Sequence, residues 1–134
     1  MIVMLDTSKD LDLCAAELGC DVEQLFTPLT RYNAQQPEKR FAMDNGAFSK
    51  FETSGFLKML EKHEPRRHLC RFVSAPDVVG SSRRTVECFH HWLPRLSGWP
   101  VAFVCQDGQE DLDIPWESCA AVFIGGSTEW KMSK

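Results

Sequence analysis

No two of the six cysteines form a CxxC pair; Cys14, Cys20, Cys70, Cys88, Cys105 and Cys119 stand singly. That argues against a zinc ribbon and against a thioredoxin-type redox motif. Nor is there an apolar run of the length a membrane-spanning helix needs. Met1-Ile-Val-Met-Leu5 runs straight into Asp6, which does not read as a secretory signal. His63, His68, His90 and His91 lack metal-ligand spacing to a cysteine or carboxylate, so no metal is expected. No GxGxxG or Walker loop is present, and Gly125-Gly126 is a weak phosphate cradle. Excess positive charge is missing too. The net charge is −4, which argues against a protein dominated by phosphate contacts. A local cluster (Arg66, Arg67, His68, Arg71, then Arg83-Arg84) reads first as a solvated face.

What remains is a chain of 134 residues, 43% of them apolar, enough for the core of a single domain over residues 1–134. The cysteines mostly lie in apolar contexts such as Phe103-Val-Cys105. They read as reduced, buried thiols in a cytoplasmic protein.

Apolar runs alternate with amphipathic ones. Ile2 to Leu5 reads as a strand. Ser8 is a candidate cap for a helix over Asp10 to Leu18, with Leu11, Cys14, Ala15 and Leu18 on one face and Gly19 as its stop. Residues 20–40 show no clear period and read as a long loop, of the kind that often carries function. Phe41-Ala-Met43 is a second strand. Glu52 to Lys62 suits a helix with Phe56, Leu57, Leu60 and His63 inward, ended by Pro65. Arg71 to Ser74 is a third strand. Ser81 or Ser82 caps a third helix with Val86, Phe89, His90 and Leu93 on one face, limited by Pro94. Val101 to Cys105 and Cys119 to Ile124 complete five strands, with a single helical turn between them near Pro115 to Ser118. Ser127 or Thr128 would cap a last helix that runs less than two turns before Lys134.

Strand–helix alternation points to parallel strands joined by crossovers. Two α/β architectures fit, an open doubly wound sheet or part of a (β/α)8 barrel. A complete barrel takes about 250 residues, so this chain would supply about five of eight units.

Chemistry collects at the strand ends. Asp44 follows the second strand at an Asn45-Gly46 turn; Asp77 follows the third; Gln106 and Asp107 follow the fourth; Gly125 and Gly126 follow the fifth. Taken singly, an aspartate there also fits a helix cap or turn. Together, a carboxylate and a carboxamide can read the hydrogen-bonding edge of a nucleobase, and paired glycines let backbone approach a flat ligand. Phe48 and Phe103 could stack on such a ring, with core burial the better reading for Phe103.

The succession Met43-Asp-Asn-Gly-Ala-Phe48, Ala75-Pro-Asp77, Val104-Cys-Gln-Asp-Gly108 and Phe123-Ile-Gly-Gly126 resembles the tRNA-guanine transglycosylase superfamily. Within it, the likeness is closest to the phage and bacterial DNA-transglycosylase-like members of 7-deazaguanine DNA modification. The resemblance runs from about residue 25 to the C-terminus. It implies an incomplete TIM barrel, its N-terminal part, and exchange of guanine for a 7-deazaguanine base in DNA or tRNA. By resemblance, Asp44 is the base-site general acid/base, and Asp77, Gln106, Gly125 and Gly126 contact the base. Asn45 and Ala47 depart from the family's Asp-Ser-Gly-Gly motif, and Asp107 intervenes before Gly108. The family's covalent nucleophile and its zinc site belong to the second half of the barrel and match no residue here, so no cofactor is expected. The implied partners are guanine or 7-deazaguanine, DNA or tRNA, and a C-terminal half-barrel or a second copy, with no membrane. The chain is accordingly expected to be a fragment, a truncated product or half of a split enzyme. A non-catalytic deazapurine or nucleic-acid binding module is the alternative.

Overall fold

A computed structural model describes residues 1–6, 8–30, 36 and 38–133. Thr7, the part of the expected loop at 31–35 and 37, and Lys134 lie outside the described residues. Six strands form one sheet: β1 (Ile2–Leu5), β2 (Asp21–Phe26), β3 (Phe41–Met43), β4 (Cys70–Ser74), β5 (Val101–Cys105) and β6 (Ala121–Ile124). The helices are α1 (Leu11–Leu18), α2 (Thr53–His63), α3 (Ser82–Trp92) and α4 (Thr128–Met132). Every neighbouring pair is parallel, and the spatial order is β1-β2-β3-β4-β5-β6. A doubly wound sheet reverses its strand order at a switch point. This sheet never reverses, and it curls into a half-barrel, an incomplete parallel β/α barrel.

Among the described residues the strand count is six, not five. The addition is β2, inside the stretch read as loop. Its sequence, Asp21-Val-Glu-Gln-Leu-Phe26, has polar residues at buried positions, so it shows neither an apolar run nor alternation. Glu23 is buried because Arg71 grips it with Nε and Nη2, at 3.0 and 2.7 Å. That charge-assisted fork also accounts for one member of the basic cluster. Arg66 is accounted for as well: its Nη2 donates to the carbonyls of Gln36 and Lys39, and its guanidinium lies 5.2 Å from the Phe41 ring.

Other boundaries shift for identifiable reasons. Asp10 is the cap position of α1, and Ser8 Oγ instead accepts from Asp10 N at 3.0 Å. Of the expected α1 face only Leu11 is buried, while Leu18 is exposed. On α2, Met59 takes the inward place expected for Leu57. On α3 the buried residues are Ser82, Thr85, Phe89 and Trp92; the expected Val86 and Leu93 pack against the core half-buried, and His90 faces out. Thr85 is polar, so an apolar period does not mark it; its hydroxyl accepts from Val78 N and donates to Val78 O. No helix is described between β2 and β3, and two 3₁₀ turns, Gln109–Asp111 and Trp116–Ser118, replace a helix between β5 and β6.

The core lies between the sheet and the helices α2 and α3. Side chains alternate along a strand. Phe41 and Met43 of β3, Val73 of β4 and Ala75 just after it, and Val101, Phe103 and Cys105 of β5 all join this core, with Phe56, Met59, Phe89 and Trp92. Each large aromatic buried there contributes roughly 1.5–3 kcal/mol. Phe103 is fully buried and 5.2 Å from the Phe89 ring, so it is not a stacking residue. The same alternation sends the even-numbered positions, Ser74, Val104 and Gln106, to the opposite, concave side.

His63 is part of this core, stacked on Phe26 with ring centroids 4.3 Å apart. Burial, then the nearby charges of Arg66 and Lys62, lower its pKa to about 4. The unfolded chain, with an ordinary histidine, therefore binds more protons between about pH 6.5 and 4. Stability is full above that window and falls as pH drops through it. Discounted for solvent screening, the loss is about 2 kcal/mol. Urea unfolding at pH 7 and pH 4.5 should show that difference, and His63→Leu should flatten it. A wild-type protein equally stable at both pH values would contradict the argument.

Candidate functional site

The carboxyl ends of β3, β4, β5 and β6 meet around a cavity of about 340 Å³. Asp44, Phe48, Asp77, Gln106, Gly125 and Gly126 all line it. The sequence scattered these residues over 83 positions (44 to 126), and the parallel sheet brings them to one place.

Asp44 continues the β3 ladder, its N–H donating to Phe26 O at 2.8 Å. The Asn45-Gly46 turn then redirects the chain. Gly46 has φ +74°, and a Cβ there would lie 3.3 Å from Pro28 Cδ. Ser74 ties β4 to this corner: its hydroxyl donates to Asp44 Oδ1 at 3.1 Å and accepts from Asn45 N at 2.9 Å. Phe48 follows and is 87% exposed. A phenyl ring this exposed at the rim of a cavity is available to stack on a ligand.

Asp77 and Gln106 sit side by side. Gln106 Nε2 donates to Asp77 Oδ2 at 2.5 Å, and Gln106 Oε1 accepts from Gly80 N at 2.9 Å. Asn45 Nδ2 donates to Asp77 Oδ1 at 2.7 Å. Burial pushes the Asp77 carboxyl above its ordinary value, the two amide donors pull it back, and the Asp44 charge adds to the upward push.

Gly125 and Gly126 close the wall. Gly125 N donates to Cys105 O at 3.0 Å, and a Cβ on Gly125 would lie 2.8 Å from Gln106 Nε2. Gly126 has φ +72°, and a Cβ there would meet Trp130 and Asp107 Oδ1. Asp107, the other strand-end carboxylate, is committed elsewhere. It accepts from Ser127 N at 2.7 Å and Ser127 Oγ at 2.8 Å, which hold its carboxyl below the ordinary range. Ser127 in turn caps α4, accepting from Trp130 N. Asp107 is thus a joint between the β5 and β6 ends.

Sequence reasoning missed two lining residues of interest. Lys131 on α4 brings a cation to the rim, and Asn45 contributes a donor to Asp77 as well as a turn. Lys131 had no local signal, because the helix that aims it is only five residues long. A neighbouring cavity of about 250 Å³ shares Asp44 and Phe48 as its wall. A groove of about 520 Å³ lies outside the sheet, between α3 and residues 112–115, and carries none of the strand-end groups. Among the described residues no group of three or more His, Cys, Asp and Glu side chains is placed to hold a metal, and no helix is long and apolar enough to cross a membrane.

No protein-family model, curated protein or solved structure matches this chain.

Proposed function

We propose that the cavity binds guanine or a 7-deazaguanine base, and that the chain is part of a transglycosylase-type base exchange on DNA or tRNA. The observation that carries the reading is the Asp77–Gln106 pair. Gly80 N occupies the Gln106 carbonyl, so the amide turns its N–H groups toward Asp77 and the cavity. The pair then offers a donor beside a carboxylate. Guanine presents the complement, a carbonyl acceptor next to two N–H donors on one edge. Adenine presents a single donor beside an acceptor and leaves one carboxylate oxygen without a charge-assisted partner. Phe48 at the rim supplies a stacking face, and Gly125-Gly126 lets backbone approach the ring plane.

In this reading Asp44 is the general acid that protonates the departing base and the base that accepts a proton from the incoming one. A retaining exchange also needs a nucleophile to hold the sugar. Asp77 is engaged by two amides and Asp107 by Ser127, which leaves Asp44 as the less committed carboxylate at the cavity. That favours, for this chain acting alone, the second reading of a binding module without turnover. The sheet edges at β1 and β6 offer the place where a partner half-barrel or a second copy would add strands.

Asp77→Ala tests the reading. It should weaken guanine binding by about 1–3 kcal/mol, the cost of leaving the ligand's buried donors without an acceptor. Isothermal calorimetry measures this directly, and an unchanged affinity would remove Asp77 from the site.

A further inference from the structure

We propose that Asn45 is the positioning residue that holds Asp77 as a two-sided acceptor in this cavity. As regards the ligand, the proposal rests on the guanine reading above; as regards Asp77, it does not.

An amide side chain can usually be turned either way, and only its partners decide. At Asn45 the backbone decides. Asn45 Oδ1 accepts from Ala47 N at 2.7 Å, which is the turn that redirects the chain after β3. Its Nδ2 must then face the other way. There it donates to Ala75 O at 2.7 Å and to Asp77 Oδ1 at 2.7 Å. The side chain is 2% exposed, so water does not compete for these bonds. Its own N–H is held by Ser74 Oγ.

Gln106 repeats the device from the other side, with Gly80 N fixing its carbonyl and Nε2 aimed at Asp77 Oδ2. Each Asp77 oxygen therefore faces one amide donor whose orientation is set by backbone. The ionised carboxylate accepts both bonds more strongly than the neutral acid, whose hydroxyl oxygen is a poor acceptor, so the two amides favour the charged form. They also leave the remaining lone pairs aimed into the cavity, where a ligand must supply donors. Serine, the residue of the family motif at this position, would bring no amide donor. Asn45 thus does in this chain something that the resemblance does not supply.

The other titratable groups around Asp77 among the described residues are Asp44 after β3, Cys88 on α3 and Lys131 on α4. Asp44 disfavours the Asp77 charge, and the two amides, together with the Asp77 backbone N–H, favour it.

The test is an NMR titration of the Asp77 side-chain carboxyl carbon in wild type, Asn45→Asp and Asn45→Ala. Both variants should raise its apparent pKa by about one pH unit or more, and N45D, which sets two carboxylates face to face, should raise it further. In wild type the Asn45 side-chain amide signals should move with the same midpoint as Asp77. That measurement needs no variant to fold. Folded variants that titrate like wild type, or a wild-type Asn45 amide indifferent to Asp77 ionisation, would overturn the proposal. With guanine as probe at pH 7, N45A should bind at least about tenfold more weakly. Should Asp77 titrate as expected while no variant and no wild type binds guanine, the role of Asn45 stands and the base reading falls.

Discussion

Gly125→Ala should abolish guanine binding, lowering affinity by at least about 100-fold, a loss of roughly 2.7 kcal/mol or more. The reason is space, not backbone freedom. A Cβ at this position would sit 2.8 Å from Gln106 Nε2, 2.8 Å from Val104 Cγ1 and 3.0 Å from the Cys105 carbonyl oxygen. The first neighbour is the flexible end of a side chain and can retreat. Retreat costs the Gln106–Asp77 bond and turns the amide that we propose reads the base out of the cavity. The last is β5 backbone and cannot retreat without parting β5 from β6, since Gly125 N bonds that same oxygen. One methyl therefore removes the reading pair or opens the cavity wall. Calorimetry with guanine, alongside circular dichroism to verify folding, measures the effect. A folded Gly125→Ala protein with wild-type affinity would show that Gln106 does not read the base.

Phe41→Ala should destabilise the fold by about 3–5 kcal/mol, the usual cost of emptying a buried aromatic site. Phe41 is fully buried. Its ring lies 5.3 Å from Phe26 and 5.0 Å from His63, with the Arg66 guanidinium over its face. Strand β3 has only three residues, so one side chain supplies much of its anchorage. Against a typical domain stability of about 5–15 kcal/mol this is a large share. Because β3 delivers Asp44 and Asn45, the site should loosen with it. A urea unfolding curve gives the number, and a loss below about 1 kcal/mol would contradict the packing described.

The residues that line the cavity were more legible in the sequence than strand β2 was. Asp44, Asp77, Gln106 and Gly125 each end an apolar stretch, and a polar residue at such an end is visible without tertiary information. The parallel sheet did the rest by aligning those ends. Strand β2 was illegible for the opposite reason. Its buried Glu23 and Gln24 are polar, and Glu23 is acceptable there only because Arg71, 48 residues away, reaches it. No local pattern announces a partner that distant. Asp107 shows the limit from another side. Next to Gln106 it looked as suitable as Asp77, and only the Ser127 contacts reveal it as a joint. Asn45 was legible as a turn residue. Its donor to Asp77 was not, because that role depends on which way a backbone bond turns the amide.

Alternation of strands and helices left a doubly wound sheet and a partial barrel equally open. The unreversed order β1 to β6 decides between them, and strand order is a property of space, not of the local sequence.

The central claim is that the strand-end cavity recognises a guanine-type base. Titration of the protein with guanine and with 7-deazaguanine, using adenine as control, tests it most directly. Saturable binding of the two guanine-type bases with adenine at least about tenfold weaker is the predicted result. A folded protein that binds none of the three, or takes adenine as readily as guanine, would contradict it.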